Sequence, residues 1–188
     1  MSNSYVDYFS YLKQRSRLAY LYRQFWLYPT ICRYLSGKVL DIGTGIGDLL
    51  RYRQNTIGVD VNPETVKYCQ AQGFDARLME IDRLPFDSSS FDGVVLDNVL
   101  EHIENPVPLL KEINRVLTDG KIFIVGVPGA LGYASDSDHK VFYSKEKMID
   151  TITEMGFYTQ KTFSMPIDLD WLGKKLRQFC EYGVFIKI

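Results

Sequence analysis

The segment richest in chemistry is Val39-Leu40-Asp41-Ile42-Gly43-Thr44-Gly45-Ile46-Gly47-Asp48, an apolar run leading into three glycines at alternate positions and then a helix. Glycines at such a turn let the main chain approach a ligand closely and can aim N–H groups at an anionic part of it. A pyrophosphate-binding dinucleotide loop spaces its glycines G-x-G-x-x-G, whereas here the third comes one residue early. Asp41, immediately before the turn, would repel a pyrophosphate and attract a cationic ligand. Asp60 stands nineteen residues further on, about the spacing that brings a carboxylate to ribose hydroxyls in a parallel α/β sheet. Glu80 and Asp82, flanking Ile81, close a third apolar run. Acids at the C-terminal ends of three successive strands converge on one crevice, because ligands of open α/β sheets lie beyond the carboxyl edge.

Proton-transfer candidates are few. The chain has two histidines, His102 and His139. His102 follows the fourth strand candidate, and His139 lies in a loop with Tyr133, Asp136 and Asp138, groups able to orient an imidazole or a substrate. His139 is therefore the better candidate base, its alternative being a plain loop histidine, and His102 could equally cap or orient a helix. No Cys, His and acid group stands at metal-ligand spacing along the chain, so no catalytic metal is expected.

These residues need a frame to position them. From Lys38 onward short apolar runs alternate with capped helices, the signature of βαβ units around a mostly parallel sheet. The expected strands are Val39 to Ile42, Thr56 to Val61, Ala76 to Met79, Gly93 to Asp97, Lys121 to Val127, Phe157 to Phe163 and Val184 to Ile188, about seven in all. Asn62-Pro63, Asn105-Pro106 and Ser144 announce helix starts, and a helix is expected near Asp170 to Phe179. Leu109, Leu110, Ile113, Val116 and Leu117 share one helix face, with Asp119-Gly120 as its stop. Before Ser36-Gly37 the texture differs: an aromatic, basic, helical arm in which Leu18, Leu21, Tyr22, Phe25 and Trp26 recur at helical spacing and read as a packing stripe. The expected organisation is an arm or lid over residues 1–36 and one α/β domain over 37–188.

The 188 residues carry 22 Lys+Arg against 23 Asp+Glu, a formal charge of −1 that excludes a polyanion binder held by bulk charge. With 46% hydrophobic and 14% aromatic residues the chain can build a full core. Its longest apolar stretch, Ile122 to Val127, falls far short of the ~20 residues that span a bilayer. Cys32, Cys69 and Cys180 form no close pair, and an odd count leaves one unpaired within the chain, so reduced thiols and a cytoplasmic location are expected.

Taken together, the motifs resemble those of the class I S-adenosylmethionine-dependent methyltransferases of the small-molecule type. Val39 to Gly47 is similar to the family's first motif and Gly58-Val59-Asp60-Val61 to its second. Leu84-Pro85-Phe86 with Phe91-Asp92, then Val99 to Ile103, resembles the stretch around its fourth strand, and Leu109 to Pro128-Gly129 the following helix and strand. The resemblance implies a Rossmann-like three-layer sandwich, a mostly parallel sheet with helices on both faces, and S-adenosyl-L-methionine as cofactor. It implies that Gly43, Thr44 and Gly45 lie against the methionine part, with Asp41 facing its ammonium. Asp60 and Val61 would meet the ribose, and Glu80 the adenine amino group, where the family usually has Asp. Ile81 would offer a main-chain N–H to the ring, and Asp97 with Asn98, at the end of the fourth strand, would border the sulfur and the acceptor, which makes Asp97 a catalytic candidate beside His139 and His102. The acceptor is expected to be a small polar metabolite, with sugars or glycan precursors as one subset, methylated at O or N. Nucleobase methyltransferases typically resemble Asn-Pro-Pro-aromatic after the fourth strand, whereas this chain reads Asp97-Asn98-Val99-Leu100, which again disfavours nucleic acid. A cofactor-binding regulatory or assembly subunit without turnover, and a nicotinamide-dependent reductase, are the competing readings.

Overall fold

The computed structural model describes residues 2–14, 16–168 and 176–188. Seven strands form one sheet: β1 (Val39–Ile42), β2 (Thr56–Asp60), β3 (Ala76–Leu78), β4 (Phe91–Asp97), β5 (Leu117–Pro128), β6 (Phe157–Met165) and β7 (Cys180–Lys187). Their order is β3-β2-β1-β4-β5-β7-β6, parallel through β5, with β7 antiparallel to both β5 and β6. The expected α/β architecture and strand count hold. Every residue of β1 and β2 is buried, as continuous apolar strands covered on both faces must be. β1 pairs with β2 on one side and β4 on the other, so the strand order reverses at β1 and a crevice opens at the carboxyl ends of β1 and β4.

The helices are α1 (Ser2–Lys13), α2 (Arg17–Tyr22), α3 (Tyr28–Cys32), α4 (Asp48–Tyr52), α5 (Pro63–Ala71), α6 (Val107–Val116), α7 (Ala130–Ala134) and α8 (Lys145–Thr153). Asn62 accepts from the Glu64 N–H at the start of α5, and Ser144 accepts from Lys147 N–H at the start of α8, as their types predict. α6 buries Leu109, Leu110, Ile113 and Val116 against the sheet. Full burial of such side chains contributes about 1.5–3 kcal/mol each. On the same side Phe123 meets Phe157 at 5.1 Å and Phe185 at 6.3 Å between ring centres.

Several boundaries differ from expectation. β5 begins at Leu117, so Asp119-Gly120 lies inside the strand and not at a helix stop, and β7 begins at Cys180, ahead of Val184. The helix expected near Asp170 to Phe179 lies largely outside the described residues, and its last residues form a turn closed by Phe179 N–H on the Leu176 carbonyl.

The arm departs most. Leu18, Leu21, Phe25 and Trp26 are exposed, Leu18 at 79% and Phe25 at 74%, while Leu27, Tyr28 and Ile31 are buried. The cause is a π-helical turn over Arg23–Leu27, closed by the Tyr28 N–H on the Arg23 carbonyl, which widens the helix and rotates a different face inward. Leu27, Tyr28 and Ile31 share one apolar cluster with Val39, Val95, Ile124, Tyr182 and Val184, so the second half of the arm is built into the sheet's packing.

Candidate active site

Gly43, Gly45 and Gly47 adopt φ of 73°, 54° and 78°, the left-handed region that the alternating glycines supply. Gly43 is under a second constraint, since a Cβ there would meet the Val99 side chain at 2.3 Å. The main-chain N–H groups of this loop do not point outward as expected. Gly43 and Thr44 both donate to the Val59 carbonyl, at 2.8 and 3.0 Å, and Gly45 donates to Asp60 Oδ2 at 2.9 Å. The loop is tied back onto β2, and its approachable backbone serves close contact more than anion binding.

Asp41 is buried beside this loop and accepts from Thr44 Oγ1 at 2.8 Å. Burial pushes its carboxyl up to about 7, against the opposing pull of the Thr44 hydroxyl, so a cation arriving here would find a carboxylate ready to ionise for it. Asp60 accepts from Gly45 N–H through Oδ2 and from Asn62 N–H, at 2.9 Å, through Oδ1. Burial raises this carboxyl too, although the amides of Asn62 and Gly45 counter it. Each carboxylate oxygen can accept more than one hydrogen bond, which leaves Asp60 able to receive hydroxyls.

Asp97 is engaged on both oxygens. Oδ2 takes the Arg23 guanidinium at 2.9 Å, and Oδ1 accepts from the Tyr182 hydroxyl at 2.7 Å and Asn98 Nδ2 at 2.9 Å. Arg23 also donates to the Tyr28 hydroxyl at 3.4 Å. Tyr182 reaches Asp97 only because β5 carries Gly126 between them, where a Cβ would meet the Tyr182 ring at 2.4 Å. Arg23 and Tyr28 belong to the arm's aromatic and basic residues, a mixture able to close over a cofactor and bind a polar molecule, but nothing singled out either one, and Tyr182 in β7 carried no functional signal in the sequence.

Three cavities line the crevice. A small one of about 90 Å³ is bounded by Arg23, Tyr28, Asp41, Gly43, Gly45 and Asp97, among others. A second of about 680 Å³ shares Tyr8, Gly43 and Asn98 with it and runs past Asp60 and Val61 to His102. A third of about 690 Å³ lies between the arm and the β4 and β5 ends, touching Asn98, Glu101, His102, His139 and Tyr182. α1 roofs them: Leu12 packs on the glycine loop, Asn62 Nδ2 donates to the Tyr5 carbonyl at 2.9 Å, and Phe9 meets Tyr68 at 5.5 Å. Glu80 and Ile81 are exposed beyond β3, Glu80 bridging to Arg83, and line none of these three cavities.

The two histidines meet, with ring centres 4.7 Å apart. His139 donates through Nδ1 to the Tyr133 carbonyl at 2.8 Å and sets Nε2 3.7 Å from Glu101 Oε1. His102 Nδ1 faces the Asp138 carbonyl at 3.3 Å. Glu101 escaped the sequence reading because glutamates at helix starts are common on surfaces, whereas here the side chain is 1% exposed. Donor atoms of Glu101, His102 and His139 lie within 4.8 Å of one another, a grouping that spacing along the chain did not reveal.

A doubly wound sheet with a glycine loop and acids at its reversal point defines a nucleoside-cofactor α/β protein. Residues 40–125 match the family model described as a methyltransferase domain. An uncharacterised protein of Methanocaldococcus jannaschii is 31% identical over 64% of this chain and 64% of its own length. A probable S-adenosylmethionine-dependent methyltransferase of Mycolicibacterium smegmatis is 28% identical over 74% of this chain and 59% of its own. A ubiquinone/menaquinone biosynthesis C-methyltransferase of Citrifermentans bemidjiense is 31% identical over 48% of this chain and 45% of its own. The chain thus spans about half to two thirds of the length of these curated relatives. Among solved structures, a SAM-dependent methyltransferase of Archaeoglobus fulgidus aligns with TM-score 0.72 at 18% identity over 96% of this chain and 99% of that one. One from Aquifex aeolicus aligns with TM-score 0.70 at 15% identity over 96% and 98%. Residues 40–125 are thus similar to a methyltransferase domain, on a fold shared with solved SAM-dependent methyltransferases. No helix among the described residues is long and apolar enough to cross a membrane.

Proposed function

We propose that this chain is an S-adenosylmethionine-dependent methyltransferase acting on an oxygen or nitrogen of a small polar molecule. The observation that carries the reading is the charge order along one crevice: a guanidinium and a buried carboxylate at the small cavity, then a second carboxylate along the larger one. That donor set fits the cofactor. Asp41 would take its ammonium, Arg23 its carboxylate, and Asp60 its ribose hydroxyls, with Gly43 and Gly45 giving the close main-chain approach. The bound cofactor supplies an electrophilic methyl group on a sulfonium.

The chain's own contribution is placement. Holding an acceptor atom in line at about 3 Å removes much of the entropic barrier to displacement. Asn98, in the left-handed region at φ 55°, stands where the three cavities meet and is suited to orient an acceptor. Asp97, held by three partners, acts as a positioning residue for Arg23 and Asn98. An acceptor hydroxyl in the third cavity would lie beside Glu101, His102 and His139, and its proton loss is assigned to that corner of the crevice in place of a lone His139 base. A cavity of about 690 Å³ suits a small molecule, and Arg177 on its wall favours a polar or anionic one.

Calorimetric titration with S-adenosylmethionine, S-adenosylhomocysteine and NADH tests the first half, and transfer of labelled methyl into pools of small metabolites the second. Sulfonium binding and label transfer are expected. Binding without transfer to any pool selects the non-catalytic subunit, and NADH binding alone selects the reductase.

A further inference from the structure

Glu101 is the least explained side chain in the crevice. It is 1% exposed, and both of its carboxylate oxygens lack a hydrogen-bond partner. Burying a carboxyl group with no partner is unfavourable unless something compensates it. His139 commits its Nδ1–H to the Tyr133 carbonyl, which leaves Nε2 as the ring atom that faces Glu101 Oε1. At 3.7 Å the two atoms are too far apart to hydrogen-bond. His102 repeats the arrangement, its Nδ1 facing the Asp138 carbonyl, which leaves Nε2 as its free lone pair.

We propose that Glu101, His102 and His139 bind a divalent cation of the zinc class at the wall of the third cavity, with an open coordination position facing that cavity. Metal–oxygen and metal–nitrogen bonds of about 2.1 Å at a tetrahedral centre put ligand atoms about 3.4 Å apart. The Glu101–His139 separation of 3.7 Å lies close to that, and the whole donor set falls within 4.8 Å. Metal-binding histidines commonly donate the other ring N–H to a main-chain carbonyl, which fixes the tautomer and aims the ligand nitrogen. Both rings have such a carbonyl, that of Tyr133 at the end of α7 and that of Asp138 in the loop that follows it. The loop is pinned beside the carboxylate by Lys140 and Val141 N–H groups on the Glu101 carbonyl, at 2.8 and 3.0 Å. Two imidazoles and one carboxylate leave a fourth position for water or an oxygen ligand. Glu101, His102 and His139 all line the third cavity with Asn98, so that position would hold a hydroxyl or carboxylate oxygen of a molecule bound there. The cation site stands independently of the methyltransferase reading, and only the identity of that oxygen ligand as the acceptor rests on it.

The test uses this 188-residue chain without a histidine tag, stripped with chelator and dialysed against Zn²⁺ or Co²⁺. One equivalent of zinc per chain and visible Co²⁺ absorption bands are expected. Each should fall at least tenfold in E101Q, H139N and H102N, with far-ultraviolet circular dichroism reporting that the variants are folded. His102 is only partly buried, so H102N carries the test if the buried substitutions fail to fold. Wild-type protein that retains no more zinc than the variants overturns the site, as does zinc retained equally by all four. S-adenosylmethionine binding measured on the same samples separates the two proposals: cofactor binding without zinc sinks this one, and zinc without cofactor binding sinks the other.

Discussion

At Asp41 a single buried carboxylate couples ligand charge to pH. Its folded-state value near 7 lies above the usual carboxylate range, so the unfolded chain releases this proton before the folded one does. Between about pH 4 and pH 7 this group therefore makes the ligand-free protein less stable as pH rises. A bound ammonium reverses the preference. Affinity for S-adenosylmethionine is expected to climb as pH rises toward 7, by up to about tenfold per unit. Calorimetric titrations in overlapping buffers should show that slope, and D41N should flatten it while weakening binding; an unchanged slope in D41N would remove Asp41 from the site. Gly43→Ala forces a side chain into the left-handed region and onto Val99 at 2.3 Å. It is expected to weaken cofactor binding at least tenfold, whereas Gly73→Ala, strained at φ 83° but with open space around its Cβ, should lower the melting temperature without touching affinity. The Arg23–Asp97 pair is mostly buried, with side-chain exposures of 19% and 10%. Removing one partner strands the other charge, and R23M should cost about 3–5 kcal/mol in denaturant unfolding. Adding D97N to R23M should recover part of that loss, because neutralising Asp97 removes the orphaned charge.

Among the elements, the helical run from Arg17 to Cys32 shows why periodicity misled. Regular helical spacing places Leu18, Leu21, Tyr22, Phe25 and Trp26 on one face, but the π-helical turn at Arg23–Leu27 inserts extra arc and turns Leu27, Tyr28 and Ile31 to the sheet instead. The same turn aims Arg23 at Asp97. α1 does a different job: it roofs the cavities through Leu12, Phe9 and the Tyr5 carbonyl, with little purchase on the sheet itself. A chain lacking residues 2–13 is expected to fold and melt within a few degrees of the intact protein, yet to bind the cofactor more weakly. Differential scanning calorimetry and the calorimetric titration measure the two effects.

For the molecule as a whole, the boundary expected at residue 36 marks a change of texture and not of core. Leu27, Tyr28 and Ile31 lie in one cluster with Val39, Val95, Ile124 and Tyr182. A chain beginning at residue 37 should therefore expose that cluster and fail to give a cooperative thermal transition, in contrast to the shorter truncation. The crevice itself is a product of topology: reversal of strand order at β1 brings the carboxyl ends of β1, β2 and β4 to one edge. Asp41 and Asp60 were legible as candidates beforehand from the apolar runs they stand in and the spacing between them, whereas Asp97 and Asn98 were read from the likeness of the fourth strand to a known family. The sequence by itself determined the strands, the glycine loop and the acids at their ends, since periodicity and turn chemistry act over a few residues. Only the tertiary structure decided that Arg23 would meet Asp97 across 74 positions and Tyr182 reach it across 85. It alone set a buried Glu101 against two imidazoles, because such meetings depend on how distant elements pack and which carbonyls fix each side chain, information that no local pattern carries.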